Sequence, residues 1–322
     1  MKPEQTQYKG YPAVALEHGA YRAVFLPRQG CKLASLRSEI TGREYIYQGK
    51  TEQYREAAYG MGYLDGECAG VDEMFPTIDA CFYDAQPWQG AYLPDHGEVW
   101  ALPWQAELGE GELRAAVTGV RMPYHLTKRV RWQETGVLRI DYTAHNPTPF
   151  AMDFIWAAHM MLTGYKGCRF EFPDELCKAY TTMSDSGLIG RYGDTFSYPL
   201  ALQPDGSVYD ASICRGTDAD DYQKFYFADK LPGETGWGCI HYPEGGSLRM
   251  EFPTEKVPYL GAIQAEGGAL GLRCMFLEPC TGAFDRPDLA KQHHMNSVLS
   301  PYETKRWYLT IRLEELECTN CK

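Results

Sequence analysis

The sequence predicts an all-β protein built from packed antiparallel sheets. Three observations carry this: short runs rich in β-branched and aromatic residues recur along the chain, turn residues separate them, and sustained helical periodicity is scarce. The runs are YRAVFL (21–26), EYIY (44–47), LRIDYTA (138–144), SLRMEF (247–252), LRCMFLE (272–278) and RWYLTIRL (306–313). In LRIDYTA, Leu138, Ile140, Tyr142 and Ala144 share one face of a strand, and Arg139, Asp141 and Thr143 share the other. That alternation marks a half-buried antiparallel strand. The two helical candidates, TEQYREAAYG (51–60) and RPDLAKQHHM (286–295), are too short to build a helical layer. The 20 prolines and 32 glycines are spread evenly, with no linker, repeat or low-complexity segment, so residues 1–322 read as a single domain. The stretch 180–222 is polar and turn-rich and reads as long loops at the rim of the sandwich, where binding sites are usually completed.

Apolar residues at 44%, with 13% aromatic, suffice for a large core and exclude a disordered chain. Lys+Arg 31 against Asp+Glu 43 gives −12, with the basic residues dispersed, so nucleic acid and anionic membrane surfaces are repelled. A neutral small molecule suits this charge better. The start, MKPEQTQYKGYPAVALEHGAY, has no apolar signal region, and no run approaches the ~18 apolar residues of a membrane span, so a cytoplasmic location is expected. The 11 cysteines, an odd count scattered through strand-like runs, suit reduced and mostly buried thiols. Cys318 and Cys321 have metal-ligand spacing but no second pair, and His293 and His294 lie too far back, so no metal is expected. Exposed sheet edges are compatible with a monomer or a homodimer.

Three segments carry candidate chemistry. Leu93-Pro94-Asp95-His96-Gly97-Glu98-Val99-Trp100 is followed by Leu102-Pro103-Trp104; Phe154-Ile155-Trp156-Ala157-Ala158-His159 follows Asn146-Pro147; and Leu277-Glu278-Pro279-Cys280-Thr281-Gly282 precedes Asp285 and Pro287-Asp288. In this order they resemble the aldose 1-epimerase (galactose mutarotase-like) family. LPRQGCKLASLRSEITGREYIY (26–47) resembles that family's opening hairpin, and LSPYETKRWYLTI (299–311) its closing strand pair. The resemblance implies a galactose mutarotase-like supersandwich with few short helices, a free sugar as partner, no cofactor, and interconversion of α and β anomers. It also implies Glu278 as base, His159 as acid, and His96 near the ring oxygen, where it too could be the acid.

The chemistry explains the residue types. Anomer exchange removes the proton of the C1 hydroxyl and delivers one to the ring oxygen, so that the ring opens, the C1–C2 bond rotates and the ring closes on the other face. A carboxylate and an imidazole on opposite sides of the pyranose can make both transfers and exchange roles for closure. Each residue also has a purely structural alternative, a hydrogen-bonded histidine or a salt-bridged glutamate. His18, His125, His145, His241, His293 and His294 lack motif context and are assigned to structure or surface. Glu278 ends an apolar strand, where an unpaired carboxylate is costly.

The chain departs from the family at the arginine that commonly precedes the first histidine, since Gly70-Val71-Asp72-Glu73-Met74-Phe75-Pro76 stands there. Glu73, Arg129 or Arg131 is then a candidate for the hydroxyl contacts, and Asp221 is the nearest match to the family's substrate-binding aspartate. Trp100, Trp156 and Phe75 flank the motifs and either stack on a sugar or pack the core. Three other functions fit the same scaffold: a non-catalytic carbohydrate-binding protein, a hexose-phosphate epimerase, and a polysaccharide lyase or glycosidase. The second needs converging basic groups, and a hydrolase needs two facing carboxylates.

Overall fold

The predicted alternation is realised along the strand Val137–His145, where Leu138, Ile140, Tyr142 and Ala144 are buried and Arg139, Asp141 and Thr143 are half-exposed. The structure is a computed structural model that describes residues 3–227 and 229–315; Cys318 and Cys321 lie outside the described residues. Among the described residues the strands form an 11-stranded and an 8-stranded sheet with three two-stranded ribbons. Neighbouring strands of both large sheets run antiparallel, as in the pairs Ala157–Leu162 with Leu272–Cys280 and Val137–His145 with Thr304–Glu314. The fold is thus an all-β sandwich with helix a small minority. No helix of the described residues is long and apolar enough to cross a membrane.

The centre of the larger sheet positions the site. Its strands lie in the order Val71–Met74, Ala157–Leu162, Leu272–Cys280, Tyr259–Gly267, Tyr222–Phe227 and Lys178–Ser184. Period-two alternation sorts their side chains between two faces. Met160, Leu162, Met275, Leu277, Phe225 and Phe227 face the smaller sheet and join Leu126, Val130, Ile140 and Ile311 in one buried cluster. The alternate residues, including Met161, Cys274 and Phe276, pack on the opposite face in a second cluster. His159, Glu278 and Lys224 occupy that second face.

Two elements differ from expectation. No helix forms at 51–60, because the backbone of that segment bonds elsewhere: Ala57 donates its N–H to Gln29 Oε1 at 2.9 Å, and its carbonyl accepts from Gln29 Nε2 at 3.3 Å. The run EYIY makes isolated bridges only, Arg37 with Glu44 and Ile46 with Leu162. Glu44 Oε1 accepts the N–H groups of Leu36 and Ile46 at 2.8 and 3.0 Å, so a side chain takes the place of a partner strand. The other helical candidate forms as Pro287–Gln292, with proline in its first turn, the one α-helix among the described residues.

Candidate functional site

Against the outer face of the larger sheet lies a cavity of about 410 Å³, within the ~300–1,000 Å³ common for small-molecule sites. His96, His159 and Glu278 all line it, together with Tyr63, Lys224 and Asp285. His159 and Glu278 come from adjacent strands, and His159 Nε2 lies 3.5 Å from Glu278 Oε1. The imidazole and the carboxylate are therefore neighbours rather than on opposite sides of a sugar-sized space, as the sequence reading expected. Adjacent strands place same-face residues side by side.

Glu278 is fully buried, and neither carboxylate oxygen has a hydrogen-bond partner among the described residues. Space for it comes from Gly261, its register partner, where an added Cβ would stand 3.2 Å from Glu278 Oε2 and 2.9 Å from the Tyr226 ring. Burial pushes the Glu278 carboxyl above its ordinary value. Lys224 opposes this, and Asp285 adds to it.

His159 Nδ1 lies 3.2 Å from the Tyr63 hydroxyl, which donates to Asp72 Oδ2 at 2.8 Å. Asp72 is itself 3.0 Å from the buried Lys32 ammonium, so it is an acceptor. Tyr63 has one hydrogen and gives it to Asp72, so its oxygen can only accept from His159 Nδ1–H. This assigns the tautomer that leaves Nε2 bare toward Glu278. Burial, with His96, Lys224 and Lys32 nearby, holds the His159 imidazole well below its ordinary value, so the ring is neutral.

His96 is delivered by a tight loop. Its N–H donates to the Ile78 carbonyl at 2.6 Å, and Glu98 N–H donates to the Phe75 carbonyl at 2.8 Å. Gly97 between them has φ +73°, and a Cβ there would lie 2.4 Å from the Phe75 carbonyl oxygen, which only glycine permits. The His96 ring stacks on Tyr63 at 3.9 Å, inclined 6°, and stands at 90° to His159. Its Nδ1 lies 2.9 Å from Asp95 Oδ1. Burial works against the Asp95 charge, but the hydrogen bond and charge of His96 hold this carboxyl below its ordinary value.

The structure does not bring the other candidates into the cavity. Glu73 alternates with Asp72 and so points between the sheets, where it accepts from Lys128 Nζ, Tyr142 OH and Trp156 Nε1 at 3.0, 2.9 and 2.9 Å. Trp156 is buried in that same layer against Tyr142 and Trp307. Asp221 lies on the face opposite Lys224, paired with Arg215 at 2.6 Å and Ser186 at 2.7 Å. Arg129 pairs with Glu112 on the outer side of the smaller sheet. Trp100 packs edge-on beneath Tyr63 at 5.0 Å and donates to the Asp95 carbonyl at 3.0 Å, supporting the His96 loop from behind. Phe75 is core, packed on Tyr124 and Phe154.

Tyr63 and Lys224 are the site residues that sequence reasoning passed over. A signal for Lys224 exists in YQKFYF (222–227), where alternation puts it opposite in facing to Phe225 and Phe227. Tyr63 sits in a short 3-10 turn, Tyr63–Asp65, inside an irregular segment without periodicity. The one potential metal-holding group among the described residues, Glu171, Cys239 and His241, lies on the edge strand Arg169–Glu171 of the smaller sheet and its neighbour Thr235–His241, and none of the three lines the cavity. Burial pushes the Cys239 thiol up to about 12, so it is a thiol and not a ready ligand.

No family model and no curated protein matches the sequence. Solved structures do. A Klebsiella pneumoniae protein described provisionally as an aldose 1-epimerase aligns with TM-score 0.71 and 15% identity, over 96% of this chain and 82% of that one. The Slr1438 protein from Synechocystis aligns with TM-score 0.68 and 15% identity, over 97% of each chain. A galactose mutarotase related enzyme from Lactobacillus acidophilus aligns with TM-score 0.65 and 12% identity, over 94% of this chain and 97% of that one. Over nearly its whole length, therefore, the chain has the all-β fold of the galactose mutarotase-like proteins.

Proposed function

We propose that the chain is an aldose 1-epimerase that interconverts the α and β anomers of an unphosphorylated aldose. The observation that carries this reading is Glu278: a fully buried carboxylate with no hydrogen-bond donor among the described residues, opening into the same cavity as two histidines. Such a group is costly to keep unless a ligand completes it.

The chemistry runs as follows. The C1 hydroxyl and the ring oxygen sit on the same carbon, so the two proton transfers occur close together, and neighbouring catalytic groups suit them. Glu278 accepts the C1 hydroxyl proton. His96, held by the Asp95 carboxylate at 2.9 Å, is the donor to the ring oxygen. Neutral His159, with Nε2 bare, accepts a hydrogen bond from a sugar hydroxyl. The C1–O5 bond breaks, the aldehyde rotates about C1–C2, and closure reverses both transfers, returning a proton to C1–O from Glu278 and one to His96 from O5. The cavity lining carries Asp79, Asp95, Glu278 and Asp285 against the single lysine Lys224 among the described residues, which disfavours a phosphorylated sugar.

Polarimetry on freshly dissolved α-glucose and α-galactose tests this. Acceleration of the approach to rotational equilibrium is expected for at least one aldose. If no aldose is accelerated while calorimetry detects binding, the protein is a non-catalytic sugar binder on the same fold.

A further inference from the structure

Lys224 is buried at the back of the cavity, a place where a cation needs compensation. Its ammonium lies 2.9 Å from Asp285 Oδ1 and 3.6 Å from Glu278 Oε2. Asp285 is held in turn. Its Oδ1 accepts from the Tyr226 hydroxyl at 2.5 Å, and its backbone carbonyl accepts the N–H groups of Ile78 and Asp79 at 3.0 and 2.8 Å. The anchor is thus rigid, and the ammonium is presented toward Glu278 from the strand two positions away in the sheet.

Among the other groups around Glu278 only His96 works in the same direction, and less than Lys224 does. From Ala157–Leu162 it meets the neutral His159, and from Tyr259–Gly267 only the backbone of Gly261. From Tyr222–Phe227 it meets Tyr222 and Tyr226 besides Lys224; from the loops come Asp285, a like charge, and His96, which is paired with Asp95. Asp79 bears on Lys224 and Asp285 rather than on Glu278 directly.

We propose that Lys224 is a positioning residue that holds the Glu278 carboxylate ionised and aimed at the cavity, with Asp285 fixing the ammonium in place. It rests on the reading of Glu278 as the base but concerns a charge, which is measurable without turnover. Lys224 remains an ammonium throughout, since burial works against its charge while Asp285 and Glu278 outweigh that and keep it well above its ordinary value. It gives up no proton in the cycle; its part is electrostatic.

The test is a pH titration of Glu278 by carbon-13 NMR of protein labelled at glutamate side-chain carboxyls, the resonance being assigned by its absence from Glu278→Gln. An opposite charge at this range is worth about one to three pH units, so Lys224→Met should move the Glu278 midpoint upward by at least about one unit. Lys224→Arg, which keeps the charge, should restore it. A Glu278 midpoint unchanged in Lys224→Met overturns the proposal. If that variant does not fold, an unchanged midpoint in Lys224→Gln overturns it as well. Absence of sugar turnover with these shifts present would instead count against the epimerase reading alone.

Discussion

The His96 loop depends on how closely two backbones approach, and Gly97→Ala measures that. Gly97 has φ +73°, where an L side chain costs about 1–2 kcal/mol. The added Cβ would also sit 2.4 Å from the Phe75 carbonyl oxygen, far inside contact distance, so the two segments must part. Parting breaks the bond from Glu98 N–H to that same carbonyl, a further loss of about 1 kcal/mol. The expected destabilisation is about 2–3 kcal/mol. Gly90→Ala is the control: its φ is +85°, but nothing lies within 4 Å of the new Cβ, so only the conformational cost of about 1–2 kcal/mol applies. Urea denaturation midpoints give both values, and polarimetry gives the second readout. Gly97→Ala should lose most of its epimerase rate as the His96 ring leaves Tyr63, while Gly90→Ala should keep it. If the two variants are equally stable, the close approach at Phe75 does not exist as described.

Other outcomes follow from the same geometry. Lys128→Met strands the buried Glu73 carboxylate and should destabilise by about 3–5 kcal/mol, with the rate per folded molecule preserved; a lost rate at unchanged stability would return Glu73 to the sugar site. His96→Ala should lower kcat by about 10²–10⁴-fold, whereas His159→Ala should act mainly on KM; the reverse split in steady-state polarimetry would make His159 the acid. Because the Glu278 carboxyl is raised, activity should fall with falling pH through a midpoint above the ordinary 4.5. The stability sign is opposite: the folded state binds that proton more tightly than the unfolded one, so wild type loses stability as pH rises through the raised value. Glu278→Gln should therefore be more stable than wild type at pH 7, with the gap closing below pH 4.5; a less stable variant at pH 7 contradicts the burial cost assigned to Glu278.

Much of the fold was legible because it rests on period two. Runs such as LRIDYTA and LRCMFLE carry their facing in their alternation, and the same alternation places Glu278 opposite in facing to the core residue Leu277. The segments carrying His96, His159 and Glu278 were legible as motifs. Their convergence on one cavity depends on strand order, which no local pattern encodes. Glu73 and Asp221 show where motif matching fails: each lies one residue from a position on the cavity face, Asp72 and Tyr222, and a shift of one residue in a strand exchanges faces. Tyr63 and the expected helix at 51–60 belong to a segment whose backbone is held by distant side chains such as Gln29, a tertiary arrangement without sequence periodicity.

The central claim is that Glu278 is the base that opens the sugar ring, and Glu278→Gln tests it most directly. The amide has the same shape, accepts no proton at neutral pH and leaves the cavity volume unchanged. Polarimetry on an aldose that the wild type accelerates, with binding followed by calorimetry and folding by circular dichroism, should show a rate loss of about 10²–10⁴-fold with sugar affinity within a few-fold of wild type. A folded Glu278→Gln that equilibrates the anomers as fast as wild type would contradict the account.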